Sequence, residues 1–211
     1  MKRCNVLVNS MLRGVFLLSL LLLSATACVP ILQTKLDTSP ESLFATRSKD
    51  LAQLDRWKIK GRTMITQGSE AWSVGLRWQE DRGAYQIKLE GPFAQGGVTL
   101  DGDEEQVVLT MTSGEKIAST NPEALILEVV GWNLPVSALQ DWVRGLPYEQ
   151  QAIESVSYDA EGRITHLVQQ GWNIEFLRYM PFENYSMPAK IFIKHPDLSV
   201  RLVISSWNNV K

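Results

Sequence analysis

The chain has 211 residues, 45% of them hydrophobic, with 21 Lys+Arg against 23 Asp+Glu and a formal net charge of −2. That length and apolar content suit one domain with a sizeable core. A mildly acidic chain without a Lys/Arg cluster is a poor nucleic-acid binder, and no repeat or low-complexity segment divides it.

The N-terminus has the pattern of a lipoprotein signal peptide. Lys2, Arg3 and Arg13 supply a positive region, an apolar run follows from Val15 to Leu23, and Ser24-Ala25-Thr26-Ala27 leads into Cys28. Such a run is shorter than the ~20 residues a membrane span needs, and it suits a signal h-region. Small residues before a cysteine suit signal peptidase II, which leaves a lipidated cysteine as residue one; Ala25-x-Ala27 also fits an ordinary secretory cut after Ala27. Cleavage before Cys28 removes three of the basic residues and no acid, leaving 184 residues with a formal charge of −5. Cys4 leaves with the signal, so Cys28 has no cysteine to pair with. Val29 follows it, where an aspartate is the usual inner-membrane retention signal, so the outer membrane is the expected destination. The organisation expected is a signal peptide over 1–27, a lipidated N-terminus and tether over 28–38, and one domain over 39–211.

Ser39-Pro40-Glu41 has the character of a helix start, with a cap, a proline at the first position and an acid in the first turn. The helix is expected to run to Leu54, with Leu43, Phe44, Leu51 and Leu54 as its apolar stripe and Arg47 interrupting it. From Trp57 the period changes to two. Trp57, Ile59, Gly61, Thr63 and Ile65 alternate with polar or exposed positions, as do Trp72, Val74, Leu76 and Trp78, and then Tyr85, Ile87 and Leu89. Strands with one wet face belong to antiparallel sheets. Turns at Asp101-Gly102-Asp103 and Ser113-Gly114 separate strands at 97–101, 106–112 and 115–119. Asn121-Pro122-Glu123 starts a helix to about Val130, and a second helix is expected from Val136 to Arg144, ahead of Gly145 and Pro147. Strands return at 153–158, 163–169, 172–179, 189–194 and 199–207. About eleven antiparallel strands exceed what an open sheet holds comfortably, so the sheet should curl into a part-closed barrel with the helices as a lid.

Neither His166 nor His195 lies near a plausible nucleophile or metal-ligand cluster, and no phosphate loop, GxSxG, HExxH or CxxC occurs. No cofactor or catalytic activity is therefore expected, and a lipid hydrolase is disfavoured. Trp72 and Trp78, on one face of one strand with Leu76, are the leading candidates to line an apolar pocket; most tryptophans should simply pack the core. Glu90-Gly91-Pro92-Phe93-Ala94-Gln95-Gly96-Gly97 breaks a strand around a large apolar residue. Phe93 either folds back onto the core or projects outward, where a membrane or acyl chain could cover it.

In its motifs the chain resembles the LolB family of outer-membrane lipoprotein receptors. The matching pieces are Trp57-Lys58-Ile59-Lys60-Gly61-Arg62, Trp78-Gln79 with Tyr85, Gly91-Pro92-Phe93, Leu134-Pro135-Val136 and Leu139 through Pro147. Gln169-Gln170-Gly171-Trp172, Met187-Pro188 and Trp207 complete the set. The resemblance implies a half-open β-barrel of about eleven antiparallel strands with a helical lid and an apolar cavity. It implies a protein that accepts lipoproteins from the periplasmic carrier LolA, holds their acyl chains and inserts them into the outer membrane. Pro92 and Phe93 take the place of the family's protruding apolar loop, where Leu-Gly is usual and Phe93-Ala94 stands here. The expected protein is a lipid-anchored monomer facing the periplasm. The alternative is a structural or interaction lipoprotein with a packed core and no cavity.

Overall fold

The computed structural model describes residues 38–91 and 96–210. The signal segment, Cys28 and the Pro92-Phe93 loop tip lie outside those residues.

Helix α1 (Pro40–Ala52) starts as its residues dictate: the Ser39 side chain accepts from the Ser42 N–H at 3.3 Å, with Pro40 in the first turn. It ends two residues before Leu54, at a Gln53 cap. Arg47 breaks its apolar stripe for a reason visible only in space. The guanidinium lies over the Tyr179 ring, 5.8 Å from its centroid, and donates to the Ser186 carbonyl. Phe44 stacks on Tyr158 at 4.8 Å.

Eleven strands follow: β1 (Arg56–Gln67), β2 (Glu70–Asp81), β3 (Ala84–Glu90), β4 (Gly97–Gly102), β5 (Val107–Met111) and β6 (Lys116–Ser119), then β7 (Ile153–Tyr158), β8 (Ile164–Gln169), β9 (Trp172–Phe182), β10 (Tyr185–Lys194) and β11 (Leu198–Asn208). Every pairing is antiparallel, in the order β6-β5-β4-β3-β2-β1-β11-β10-β9-β8-β7. The edges β6 and β7 do not pair with each other, so the barrel is half open. Between them in the chain run α2 (Pro122–Val130) and α3 (Val136–Trp142). The two helices are therefore strung from one sheet edge to the other.

Alternation in β1 buries Trp57, Ile59, Thr63 and Ile65 and leaves Lys60, Arg62 and Met64 exposed. The register of β1 against β11 slips between Lys60 and Gly61, and a Cβ at Gly61 would meet the Val203 carbonyl oxygen at 2.3 Å. A bulge of this kind bends its strand, here in the middle of the curled sheet.

One hairpin departs from the expectation. β9 and β10 extend to Phe182 and from Tyr185, meeting around Glu183, although Pro181 and Pro188 mark that stretch as broken. Proline lacks an N–H for the ladder and is confined to edges and bulges. Pro188 satisfies that rule, because the register slips beside it, and its carbonyl accepts from Trp207 Nε1 at 2.9 Å.

Candidate functional site

The concave face encloses a cavity of about 90 Å³. One wall comes from β1 to β4, with Ile65, Leu76, Trp78, Ile87, Leu89, Val98 and Leu100. β10 and β11 supply Ile191, Ile193, Val200 and Leu202. The roof is Ile126 and Val130 of α2, Trp132 and Leu134 of the connecting loop, and Val136, Leu139 and Val143 on and just after α3. Thr63 completes the lining and brings the one hydroxyl among the described lining residues. Such a surface offers an occupant dispersion and dehydration but almost no polar recognition.

Leu76 and Trp78 stand where the strand pattern puts them, on the cavity. Trp72 does not line it. Its ring lies 5.6 Å from Trp132, and Trp132 rather than Trp72 presents to the cavity. Trp72 lies four residues before Leu76, toward the β1–β2 hairpin, where Trp132 of the loop after α2 packs on it. That loop is tied down by Gln67, whose Nε2 donates to the Gly131 carbonyl at 3.1 Å. At the other end of the sheet Trp57 packs on Trp78 (5.5 Å) and Trp207 (5.2 Å), closing the interior with buried rings.

The roof is built by short-range capping. The Asn121 side chain accepts from the Ala124 N–H at 2.9 Å to start α2, and Gly131, at φ 79°, ends it. Glu123 then accepts from the Ser137 N–H at 2.8 Å, so an acid of α2 caps α3. Two polar groups fix the far end of α3. Arg144 pairs with Asp141 at 2.5 Å and donates to the Leu51 and Leu54 carbonyls at 3.3 Å, capping the C-terminal end of α1. Trp142 Nε1 donates to the buried Gln169 at 3.0 Å, and Gln169 also accepts from the Tyr148 N–H and donates to the Tyr148 and Gln151 carbonyls. α1 contributes nothing to the lining, so two helices rather than three roof the cavity.

The sequence carries one signal for the roof: Ile126 and Val130 stand four apart, and Val136, Leu139 and Val143 fall at helical spacing. The spacing signals a buried face but does not say that the face covers a cavity. Next to Trp78 lies Glu80, 8% exposed, whose carboxyl burial pushes up to about 7. Its Oε1 accepts from Trp78 Nε1 at 2.7 Å. A more open groove between α1 and the 146–151 segment is lined partly by Lys49, Asp141, Arg144 and Glu149, and lacks the hydrocarbon character of the enclosed cavity. Among the described residues no cluster of His, Cys, Asp or Glu could hold a metal. The loop bearing Pro92 and Phe93 is pinched at its base, where the Gly91 N–H donates to the Gly96 carbonyl at 3.0 Å. Gly97 follows, where a Cβ would meet the Leu89 carbonyl oxygen at 2.4 Å.

A half-open antiparallel barrel with a hydrocarbon-lined interior under two helices defines a class of β-barrel that encloses an apolar cavity. Within that class the chain belongs to the LolB family: residues 55–207 match the family model described as Outer membrane lipoprotein LolB. It is 36% identical over 194 residues to the outer-membrane lipoprotein LolB of Nitrosococcus oceani, covering 92% of this chain and 96% of that one. It is 37% identical over 164 residues to that of Pseudomonas aeruginosa (strain LESB58), covering 78% and 80%. The fold is also that of a LolA superfamily protein from Nitrosomonas europaea, with a TM-score of 0.51, 6% identity, and 82% and 94% of the two chains covered.

Proposed function

We propose that this protein is an outer-membrane lipoprotein receptor. It accepts lipoproteins from the periplasmic carrier LolA, holds their acyl chains in the cavity under α2 and α3, and releases them into the outer membrane. The observation that carries this reading is the lining itself, hydrocarbon and indole apart from Thr63. Membership of the LolB family supports it, and the shared fold with a LolA superfamily protein fits a hand-off between two like barrels.

Burying each acyl CH₂ contributes ~0.8 kcal/mol, so one sixteen-carbon chain approaches ~12 kcal/mol. Chains held that strongly do not cross water unaided. They pass from one apolar cavity to another, and direction follows from relative affinity, with the bilayer as the final sink. A cavity of about 90 Å³ is smaller than the roughly 150 Å³ that takes a single benzene. In this reading the interior widens as a chain enters.

In this reading Cys28 carries the lipid that holds the protein at the outer membrane, facing the periplasm. Phe93, on its Gly91–Gly96 loop, enters the bilayer during release. Free space walled by hydrocarbon counts against a structural lipoprotein with a packed core. The test is transfer between two purified proteins: LolA loaded with a lipoprotein is mixed with this protein, and the client is followed from one to the other. Transfer supports the reading; a client that stays on LolA refutes it. Cys28→Ala is expected to accept the client and misplace it.

A further inference from the structure

Thr63 occupies the middle of β1, paired with Val74 on β2 and Leu202 on β11. It is 4% exposed and lines the cavity. Its Oγ1 is buried and has no hydrogen-bond partner among the described residues. A hydroxyl buried in hydrocarbon without a partner is unfavourable, and valine would fill the same space without that cost. Threonine is thus the wrong residue for an interior that holds only hydrocarbon. It suits an interior whose occupant brings a hydrogen-bonding atom to that point.

An acyl group brings one such atom. Its tail is hydrocarbon, and its first carbon is an ester or amide carbonyl whose oxygen accepts. We propose that Thr63 Oγ1 donates to the acyl carbonyl of the bound chain, so that the cavity recognises an acyl group rather than hydrocarbon alone. This rests on the reading of the cavity as an acyl-chain site.

The test uses the full chain in nanodiscs of dialkyl ether phospholipid, whose tails carry no carbonyl. Two probes quench tryptophan fluorescence from the cavity: methyl 9,10-dibromostearate, and 9,10-dibromooctadecane, which lacks the ester. Thr63→Val is expected to weaken the ester about 2- to 10-fold, the range of one hydrogen bond, and to leave the hydrocarbon unaffected. Thr63→Ser keeps the hydroxyl and should keep the preference. Without ligand, Thr63→Val should melt higher than the wild type. Equal losses for both probes, no loss for either, or a lower melting temperature would each overturn the assignment while leaving the cavity reading intact. A wild type that binds neither probe overturns both.

Discussion

Trp78 Nε1 donates to Glu80 Oε1 at 2.7 Å, two residues along one strand, with both side chains buried. The bond orients the indole that forms part of the cavity wall, and it leaves a carboxyl inside the barrel. Burial pushes that carboxyl up to about 7, while the Trp78 hydrogen bond and the Arg144 charge oppose the rise.

A pH dependence follows from this carboxyl. Below about 4.5 it is protonated in both the folded and unfolded states. Between about 4.5 and about 7 the unfolded chain ionises and the folded one does not, so stability falls as pH rises through that window, and it levels off above it. The full difference corresponds to about 3 kcal/mol at most. Glu80→Gln keeps an acceptor for Trp78 and carries no charge. It should raise the melting temperature at pH 8, leave it little changed at pH 4, and flatten the profile between. A profile unchanged by the substitution would show that Glu80 does not titrate in this window.

Filling the cavity should separate binding from folding. Val130→Phe adds an aromatic ring to the roof of a cavity with about 90 Å³ of free space. Overpacking costs about 1–3 kcal/mol where no room exists, and here some room exists. The variant should fold with a small change in stability and lose most of its affinity for an acyl probe, read by fluorescence titration. Normal binding by a folded Val130→Phe would place the ligand elsewhere.

Gln169 is a structural counterpart on the far side of α3. Gln169→Leu strands the Trp142 and Tyr148 N–H groups and two carbonyls. Each buried group left unpaired costs about 1–3 kcal/mol. With four such groups a loss of at least about 4 kcal/mol is expected, seen as a melting temperature lower by about 8–16 °C. A shift of only a degree or two would mean that water replaces the amide.

Phe93→Glu tests the proposed release step. The substitution lies on a loop whose base is set by Gly91, Gly96 and Gly97, so the melting temperature should hold. Acceptance from LolA should persist while delivery into liposomes falls at least several-fold. Normal delivery would remove Phe93 from the mechanism.

The strands β1 to β3 were legible because each has one wet face, and the alternation of Ile59, Thr63 and Ile65 with Lys60, Arg62 and Met64 reports it directly. The hairpin around Glu183 was not, because Pro181 and Pro188 are local breakers, and the register slip that accommodates Pro188 exists only in the paired strands. Leu76 and Trp78 follow from strand period alone. Trp72 shares their face, yet a loop 60 residues later covers it with Trp132. The roof was half legible: the spacing of Val136, Leu139 and Val143 declares a buried face without naming its partner. Thr63 was visible as a polar residue on an apolar face, but its lack of a hydrogen-bond partner exists only in three dimensions.

The central claim is that acyl chains lodge in this cavity. A client lipoprotein bearing a photoreactive group near the end of one acyl chain, delivered by LolA and then irradiated, tests it most directly. Crosslinks should map to peptides bearing Trp78 and Leu100 in the wall and Val130 and Leu139 in the roof, and should disappear in Val130→Phe. Transfer with crosslinks confined to the outer face of the sheet, or to the groove beside α1, would contradict the account.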